Sequence, residues 1–324
     1  MKLEDIGFYT LSDYRVTQSS VMSPLWRCEL LLTSRCNFHC PYCKGVNKLL
    51  QGDLSFELAM EIATYWLSHG LKNVRMSGGE PTLWDNGDLL KLVSYFKANG
   101  VEHIAISTNG SASLEYYEAL MAAGVNDFSI SLDGGCCSIG ENMTGGVKGS
   151  WEHTVDIIRE LSKQTYVSLG MVFTEENIDE CLESVLYADT LGVSDIKVIP
   201  SAQYNKALLR LVDLPHILLS KYPILNYRVG NIKRKVAVRG IKNSDAHKCW
   251  LVVDDMIVSQ GWHFPCVIYL REGGNPIGRV GDMTRLDRVE WANNSDILAD
   301  TICRNNCLDI YVAHNNKARE IRYT

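Results

Sequence analysis

From residue 25 to residue 200 the chain repeats one pattern, a short apolar run, a turn, and then a segment with apolar positions at helical spacing. This alternation constrains the fold more than any other feature. Residues 25–32 read as a first strand. Ser55 opens a helix that carries Leu58, Ile62 and Trp66 on one face and ends before Gly70. A strand over 73–76 follows, then a helix over 89–97 that stops at Gly100. The pattern continues with strand 103–107, helix 114–123, strand 127–132, helix 151–161, strand 167–173, helix 179–191 and strand 195–200. Alternating strands and helices predict a parallel sheet with right-handed crossovers. Six β/α units fall short of the eight that close a barrel, so the expected class is α/β, a partial (β/α)6 TIM-type barrel. Chemistry then belongs at the C-terminal ends of the strands, where Cys36, Gly78, Asn109, Asp133 and Pro200 fall.

The eleven cysteines are unevenly spaced: Cys36, Cys40 and Cys43 sit together, and Cys249, Cys266, Cys303 and Cys307 fall in the last quarter. The N-terminus lacks an apolar core of signal-peptide length, and no apolar run approaches the roughly 18 residues of a membrane span. A cytoplasmic, reducing location is the expectation, and there clustered cysteines point to metal ligation or catalysis before disulfides. The net charge of −6 gives no sign of a nucleic-acid partner. The one basic run, Lys233-Arg234-Lys235, reads as a solvated edge.

Cys36, Cys40 and Cys43 have C-x3-C-x2-C spacing, with an aromatic, Tyr42, before the last cysteine. Iron–sulfur clusters normally take four thiolates, so three on one loop leave one iron open to another ligand. A structural zinc site with His39 or another group as fourth ligand is the competing reading. The loop's place at the end of the first strand of a β/α series favours iron. In these residues the chain resembles the radical S-adenosylmethionine (radical SAM) superfamily, whose signature loop has this spacing and this aromatic. The resemblance implies a [4Fe–4S] cluster on Cys36, Cys40 and Cys43, with SAM chelating the open iron. It also implies a low-potential electron donor such as flavodoxin or ferredoxin, and a 5′-deoxyadenosyl radical that takes a hydrogen atom from substrate.

Gly78-Gly79-Glu80-Pro81, one β/α unit later, matches the family's GGE motif. Glycine lets the backbone approach a ligand closely, and by resemblance Gly78, Gly79 and Glu80 receive the SAM amino group. Ser107 and Asn109 end the third strand, and Ser131 and Asp133 end the fourth. These four look like family segments near the SAM carboxylate and ribose, although Asn-Gly and Asp-Gly are also ordinary turn dipeptides. Ile199 sits where the family packs adenine; an apolar strand is otherwise core. Tyr42 is placed among the cofactor-binding residues by the same resemblance. Cys136 and Cys137 follow the fourth strand as candidate catalytic thiols able to donate a hydrogen atom, or as inert loop thiols. Cys28 and Cys181 read as small buried hydrophobes.

The last four cysteines have spacing Cys249-x16-Cys266 and Cys303-x3-Cys307, with turns at Ser259-Gln260-Gly261 and Glu272-Gly273-Gly274. This resembles the twitch domain, the short form of the SPASM domain. There a β-hairpin and a following helix hold an auxiliary [4Fe–4S] cluster. Four cysteines match the fully ligated version rather than the three-cysteine version whose open iron touches substrate. A four-cysteine zinc knuckle is the alternative. The expected organisation is an N-terminal extension 1–24, a radical SAM partial barrel 25–205, a connecting segment 206–248 with a helix near 208–220, a twitch-like domain 249–310 and a tail 311–324 that covers the site or is disordered.

Two enzymatic readings follow from the resemblance. One is dehydrogenation or epimerisation of a small polar metabolite, carbohydrate-, aminoglycoside- or nucleotide-like. The other is radical modification of a ribosomal peptide or protein side chain. Only 24 residues precede the first strand, too few for the leader-binding domain of many peptide modifiers, which favours the small molecule. A zinc-stabilised binding module without catalysis is the remote third reading.

Overall fold

The computed structural model describes residues 13–18, 20–46, 50–201 and 207–323. The boundary expected at 205/206 lies outside them. The strands are β1 (Arg27–Thr33), β2 (Asn73–Gly78), β3 (His103–Thr108), β4 (Asp127–Ser131), β5 (Tyr166–Phe173), β6 (Asp195–Pro200), β7 (Asp255–Ser259), β8 (Trp262–Phe264) and β9 (Gly278–Arg279). The first helices are α1 (Asp13–Gln18), α2 (Phe56–Ser68), α3 (Asn86–Ala98), α4 (Leu114–Ala123), α5 (Cys137–Met143), α6 (Ser150–Ser162) and α7 (Cys181–Asp189). They are followed by α8 (His216–Lys221), α9 (Pro223–Lys233), α10 (Val267–Arg271), α11 (Thr284–Asn294), α12 (Thr301–Asn306) and α13 (Asp309–Tyr323). Among the described residues, no helix is long and apolar enough to cross a membrane.

Local chemistry explains the helix starts. Ser55, Asp85 and Ser113 each accept a first-turn backbone N–H, from Leu58, Asp88 and Tyr116, and cap α2, α3 and α4. Each such cap is worth about 1 kcal/mol. The apolar faces they start are fully buried, with Trp66 on α2, Phe96 on α3 and Tyr117 on α4.

The chain divides into two compact units. The first takes the described residues within 1–35, 44–104 and 239–324, and the second those within 36–43 and 105–238. In the second unit the strand order is β6-β5-β4-β3, with every pair parallel, as the alternation predicts. In the first unit the order is β2-β1-β7-β8-β9. β1 pairs in parallel with β2 on one side and with β7 on the other, Cys28 facing Val74 and Met256. The register of β1 shifts between Leu31 and Thr33, just before the chain runs into the three-cysteine loop.

The C-terminal segment read as a small separate domain thus shares a sheet with β1. Its β7–β8 hairpin turns through Gln260 and Gly261, both at positive φ (51° and 77°). That pair of left-handed residues is the two-residue turn whose twist suits a hairpin. The segment 311–324, expected to cover the site or to be disordered, is helical in α13 as far as it is described. The described part of the N-terminal extension is fixed too: Arg15 of α1 is buried and ion-paired with buried Asp254, beside a second pair, Arg27–Asp255. Burial lowers the Arg15 pKa to about 10 and raises that of Asp254, so each charge needs the other. Helices α5 and α9 are among those that the sequence reading did not contain. The basic run at 233–235 is exposed at the end of α9, and Cys28 and Cys181 are fully buried, as read.

Candidate active site and metal centres

Cys36, Cys40 and Cys43 lie on a turn that starts three residues past β1. Cys43 N–H donates to the Cys40 carbonyl (3.0 Å), and Phe38 N–H points at Cys36 Sγ (3.4 Å). Phe38 is buried and anchors the turn, while Cys36 and Cys43 are exposed and Cys40 half-buried. The Cys40 thiol is pushed up to about 12, first by burial and then by the charges of Asp133, Cys43 and Cys36, against a hydrogen bond from Tyr42 that lowers it. Cys43 and Cys36 thus act on Cys40 electrostatically. Three soft sulfur donors on one short turn fit an iron–sulfur cluster, whose binding must displace such a proton.

Three contacts in the same unit hold the loop. Asn109, just past β3, donates its amide to Asn37 Oδ1 (2.8 Å) and points at Cys36 Sγ (3.8 Å). The Tyr42 hydroxyl donates to Asp133 Oδ2, past β4, and Asp133 Oδ1 accepts Val172 N–H (2.7 Å). Burial pushes Asp133 up to about 6, although the bonds from Tyr42 and Val172 work the other way. His39 N–H donates to the Thr144 carbonyl (2.9 Å), and a Cβ on Gly145 would stand 2.6 Å from the His39 carbonyl oxygen. Sequence reasoning missed this last support; the Gly145-Gly146 pair after α5 was its available signal. Asn109, Asp133 and Tyr42, read as cofactor residues, are here seen bonding to or within the loop. Ser107 and Ile199 are half-buried and Ser131 exposed at the ends of β3, β6 and β4.

In the other unit, Gly78-Gly79-Glu80 closes on residues 33–35, which run directly into Cys36. Gly79 N–H donates to the Thr33 carbonyl and Glu80 N–H to the Arg35 carbonyl, both at 2.7 Å. A Cβ on Gly78 would lie 2.3 Å from the Thr33 oxygen, and one on Gly79 2.1 Å from the Arg35 oxygen. Both glycines are therefore demanded by the chain's own packing. Glu80 is buried and caps the turn that follows, accepting Thr82 N–H (3.1 Å) and Thr82 Oγ1–H (2.7 Å).

Cys136 is exposed at the head of α5, with Ser138 Oγ 3.4 Å away. Cys137 is half-buried, and its sulfur lies within 4.8 Å of ligand atoms of Glu141 and Glu152. The Glu152 carboxylate, then burial, then Glu141 push the Cys137 thiol up to about 11. Glu141 is itself engaged by Lys148 Nζ (2.7 Å) and Gly149 N–H (2.6 Å).

Cys249, Cys266, Cys303 and Cys307 are all free thiols and half-buried, and all four lie in the first unit. Cys249 precedes a 3₁₀ turn, Cys266 heads α10, Cys303 lies in α12 and Cys307 ends it. Burial raises every one of these thiols. The charges of Cys249 and Cys266 push Cys303 and Cys307 further up, and Cys249 acts likewise on Cys266, which reaches about 12. Four thiols in one unit are soft donors of the kind a metal centre takes. Tyr269 N–H points at Cys266 Sγ (3.4 Å), and Asn315 Nδ2 of α13 at Cys249 Sγ (3.6 Å). Asn315 Oδ1 also accepts Trp250 N–H (2.8 Å), a support that a tail read as covering the site or disordered could not suggest.

Fold and site together define an α/β enzyme with a parallel-dominated sheet and a three-thiol loop after its first strand. Residues 30–188 match the Radical SAM superfamily model, and these residues form a radical SAM domain. The chain is 28% identical over 202 residues to the GTP 3′,8-cyclase of Staphylococcus epidermidis, covering 59% of this chain and 54% of that protein. It is also 28% identical over 181 residues to the probable GTP 3′,8-cyclase of Metallosphaera sedula, covering 54% and 56%. The chain thus matches little more than half the length of these curated relatives. Its fold is similar to anSMEcpe with bound AdoMet and Cp18Cys peptide, with TM-score 0.60 and 16% identity, covering 92% of this chain and 97% of that one. Streptococcus suis SuiB bound to precursor peptide SuiA gives TM-score 0.59 and 15% identity, covering 88% and 68%.

Proposed function

We propose that the chain is a radical SAM enzyme that takes a hydrogen atom from a small polar metabolite, carbohydrate-, aminoglycoside- or nucleotide-like, and completes a dehydrogenation or an epimerisation. One observation carries this reading: a three-thiol turn whose entry, residues 33–35, is gripped by the Gly78–Glu80 backbone. Cys36, Cys40 and Cys43 hold the SAM-binding [4Fe–4S] cluster, and Cys249, Cys266, Cys303 and Cys307 an auxiliary one. When bound, the first cluster would supply the electron that cleaves SAM, and SAM would supply the radical that abstracts hydrogen.

The protein's own residues then do the positioning. Asp133 and Asn109 keep the loop in place through Tyr42 and Asn37. Gly78 and Gly79 let the turn pack on the loop's root. Cys136 and Cys137, at the start of α5, are the two candidate hydrogen-atom donors, and Cys137 sits beside Glu141 and Glu152. Donation of its hydrogen atom to a substrate radical leaves a sulfur radical, which one electron and one proton restore. A low-potential donor such as flavodoxin or ferredoxin supplies that electron. The nucleotide named in the curated relatives' activity favours a small substrate. The peptide complexes of anSMEcpe and SuiB, whose fold spans nearly the whole chain, keep peptide modification as the second reading.

The test is anaerobic reconstitution with iron and sulfide counting, and EPR with and without SAM. Wild type should hold about eight irons and a Cys36/Cys40/Cys43 triple-Ala variant about four, with a SAM-dependent signal only in wild type. Zinc in place of iron would sink the reading. Turnover on nucleotide, aminoglycoside and peptide panels decides between the substrate classes. If Cys137 is the donor, Cys137→Ala should stop formation of an epimer while 5′-deoxyadenosine still accumulates; unchanged product yield removes that role.

A further inference from the structure

The residues that leave the three-cysteine loop are held by side chains from more than 220 positions further along the chain. Arg271 is the last residue of α10, the single-turn helix that Cys266 heads. One guanidinium nitrogen donates to the Gly45 carbonyl (3.1 Å) and the other to the Gly78 carbonyl (3.2 Å). The next residue, Glu272, accepts from Lys44 Nζ at 2.5 Å. Residues 44 and 45 directly follow Cys43, and Gly78 opens the turn that packs on residues 33–35. Two adjacent residues of the C-terminal segment therefore grip the exit of the loop, and one of them also reaches the backbone that grips its entry.

The geometry uses what arginine alone offers: a planar, permanently charged group with donors spread over a fixed fork, able to reach two carbonyls at once. An arginine serving only its own helix would bond the last carbonyls of that helix. Here the Ile268 carbonyl is taken by the Glu272 backbone N–H, and the guanidinium spans Gly45 and Gly78 instead. The Gly78 backbone is itself held, paired with Thr33 across β1 and β2 and followed by the Gly79 N–H bond to the Thr33 carbonyl (2.7 Å). Arg271 thus braces the exit of the loop against the Gly78 turn.

We propose that Arg271 is a positioning residue for the radical SAM centre, tying the exit of the three-cysteine loop to the Gly78 turn and so setting how SAM seats on the cluster. The proposal rests on the reading of Cys36, Cys40 and Cys43 as that centre, and the test separates the two. Reconstituted wild type, Arg271→Ala and Arg271→Lys are compared for iron content, thermal midpoint, SAM dissociation constant and the EPR signal of the reduced cluster with SAM. Arg271→Ala should keep its iron but bind SAM about tenfold or more weaker, the usual loss when a group supporting a metal site is removed. Its EPR signal should move toward the SAM-free form. Arg271→Lys, which keeps the charge but not the fork, should fall between the two. A SAM affinity within twofold of wild type and an unchanged SAM-dependent signal in Arg271→Ala overturn the proposal. If Arg271→Ala does not fold or take up iron, Arg271→Lys decides: weakened SAM binding supports the clamp, and wild-type binding removes it. A wild-type cluster that does not respond to SAM would instead break the underlying reading.

Discussion

The two cysteine sets are built on opposite plans. Cys36, Cys40 and Cys43 occupy eight consecutive residues, two of them exposed, and their spacing alone brings the thiols together. Cys249, Cys266, Cys303 and Cys307 span 59 residues and sit on separate elements, before a 3₁₀ turn, at the head of α10, in α12 and at its end. All four are half-buried, and Asn315 and Tyr269 N–H point at their sulfurs. An exposed three-thiol set leaves room for an exchangeable ligand. A closed four-thiol set suits an electron relay or a structural staple.

That contrast can be broken most sharply at the ligands. Triple alanine replacement of Cys36, Cys40 and Cys43 should abolish SAM cleavage and remove about half the iron, yet leave the thermal midpoint nearly unchanged, because the loop is exposed. Cys266→Ala should also remove about half the iron but lower the midpoint clearly, since it empties a buried donor set within packed elements. Equal midpoints in the two variants would erase the difference between the sets.

Gly79→Ala probes the ground between them. A Cβ 2.1 Å from the Arg35 oxygen forces the turn away from the root of the loop. The expected cost is about 2 kcal/mol or more of stability, with a matching loss of SAM affinity, read by calorimetry and by SAM titration. Full SAM affinity in this variant would show that the turn does not support the loop.

The smallest effect sharpens the comparison by lying outside both sets. Asp195 starts β6 and accepts the Ile224 N–H of α9, and burial pushes it up to about 6. Its folded-state pKa exceeds the ordinary 3.8, so the folded protein holds the proton more tightly than the unfolded chain. Wild-type stability should therefore fall as pH rises from about 4 to about 6, by at most about 3 kcal/mol. Asp195→Asn, which keeps an acceptor but no charge, should flatten that slope in urea melts across the same range. An unchanged slope would assign the acid dependence elsewhere.

Much of this protein was legible before any coordinates. Period-3.6 and short apolar runs placed the six β/α strands, with β6 matching residue for residue, and the Ser55 cap located α2. The C-x3-C-x2-C spacing marked the loop because all its geometry is local. What could not be read was long-range. Residues 255–259 look like any apolar strand, and nothing in them states that β7 pairs with β1. The polar tail gave no hint that His314 and Asn315 would be buried in α13, because burial depends on the partner surface. Asp133 was read as a cofactor residue or a turn residue, and only the fold shows it bonded to Tyr42.

By itself, then, the sequence determined the order of strands and helices, the cluster loop and the glycine turn, since each is set by backbone preference and short-range spacing. Tertiary structure decided which carboxylate steadies the loop and where Arg271 reaches. Those outcomes depend on pairing between segments far apart in the chain, and no local pattern records that pairing.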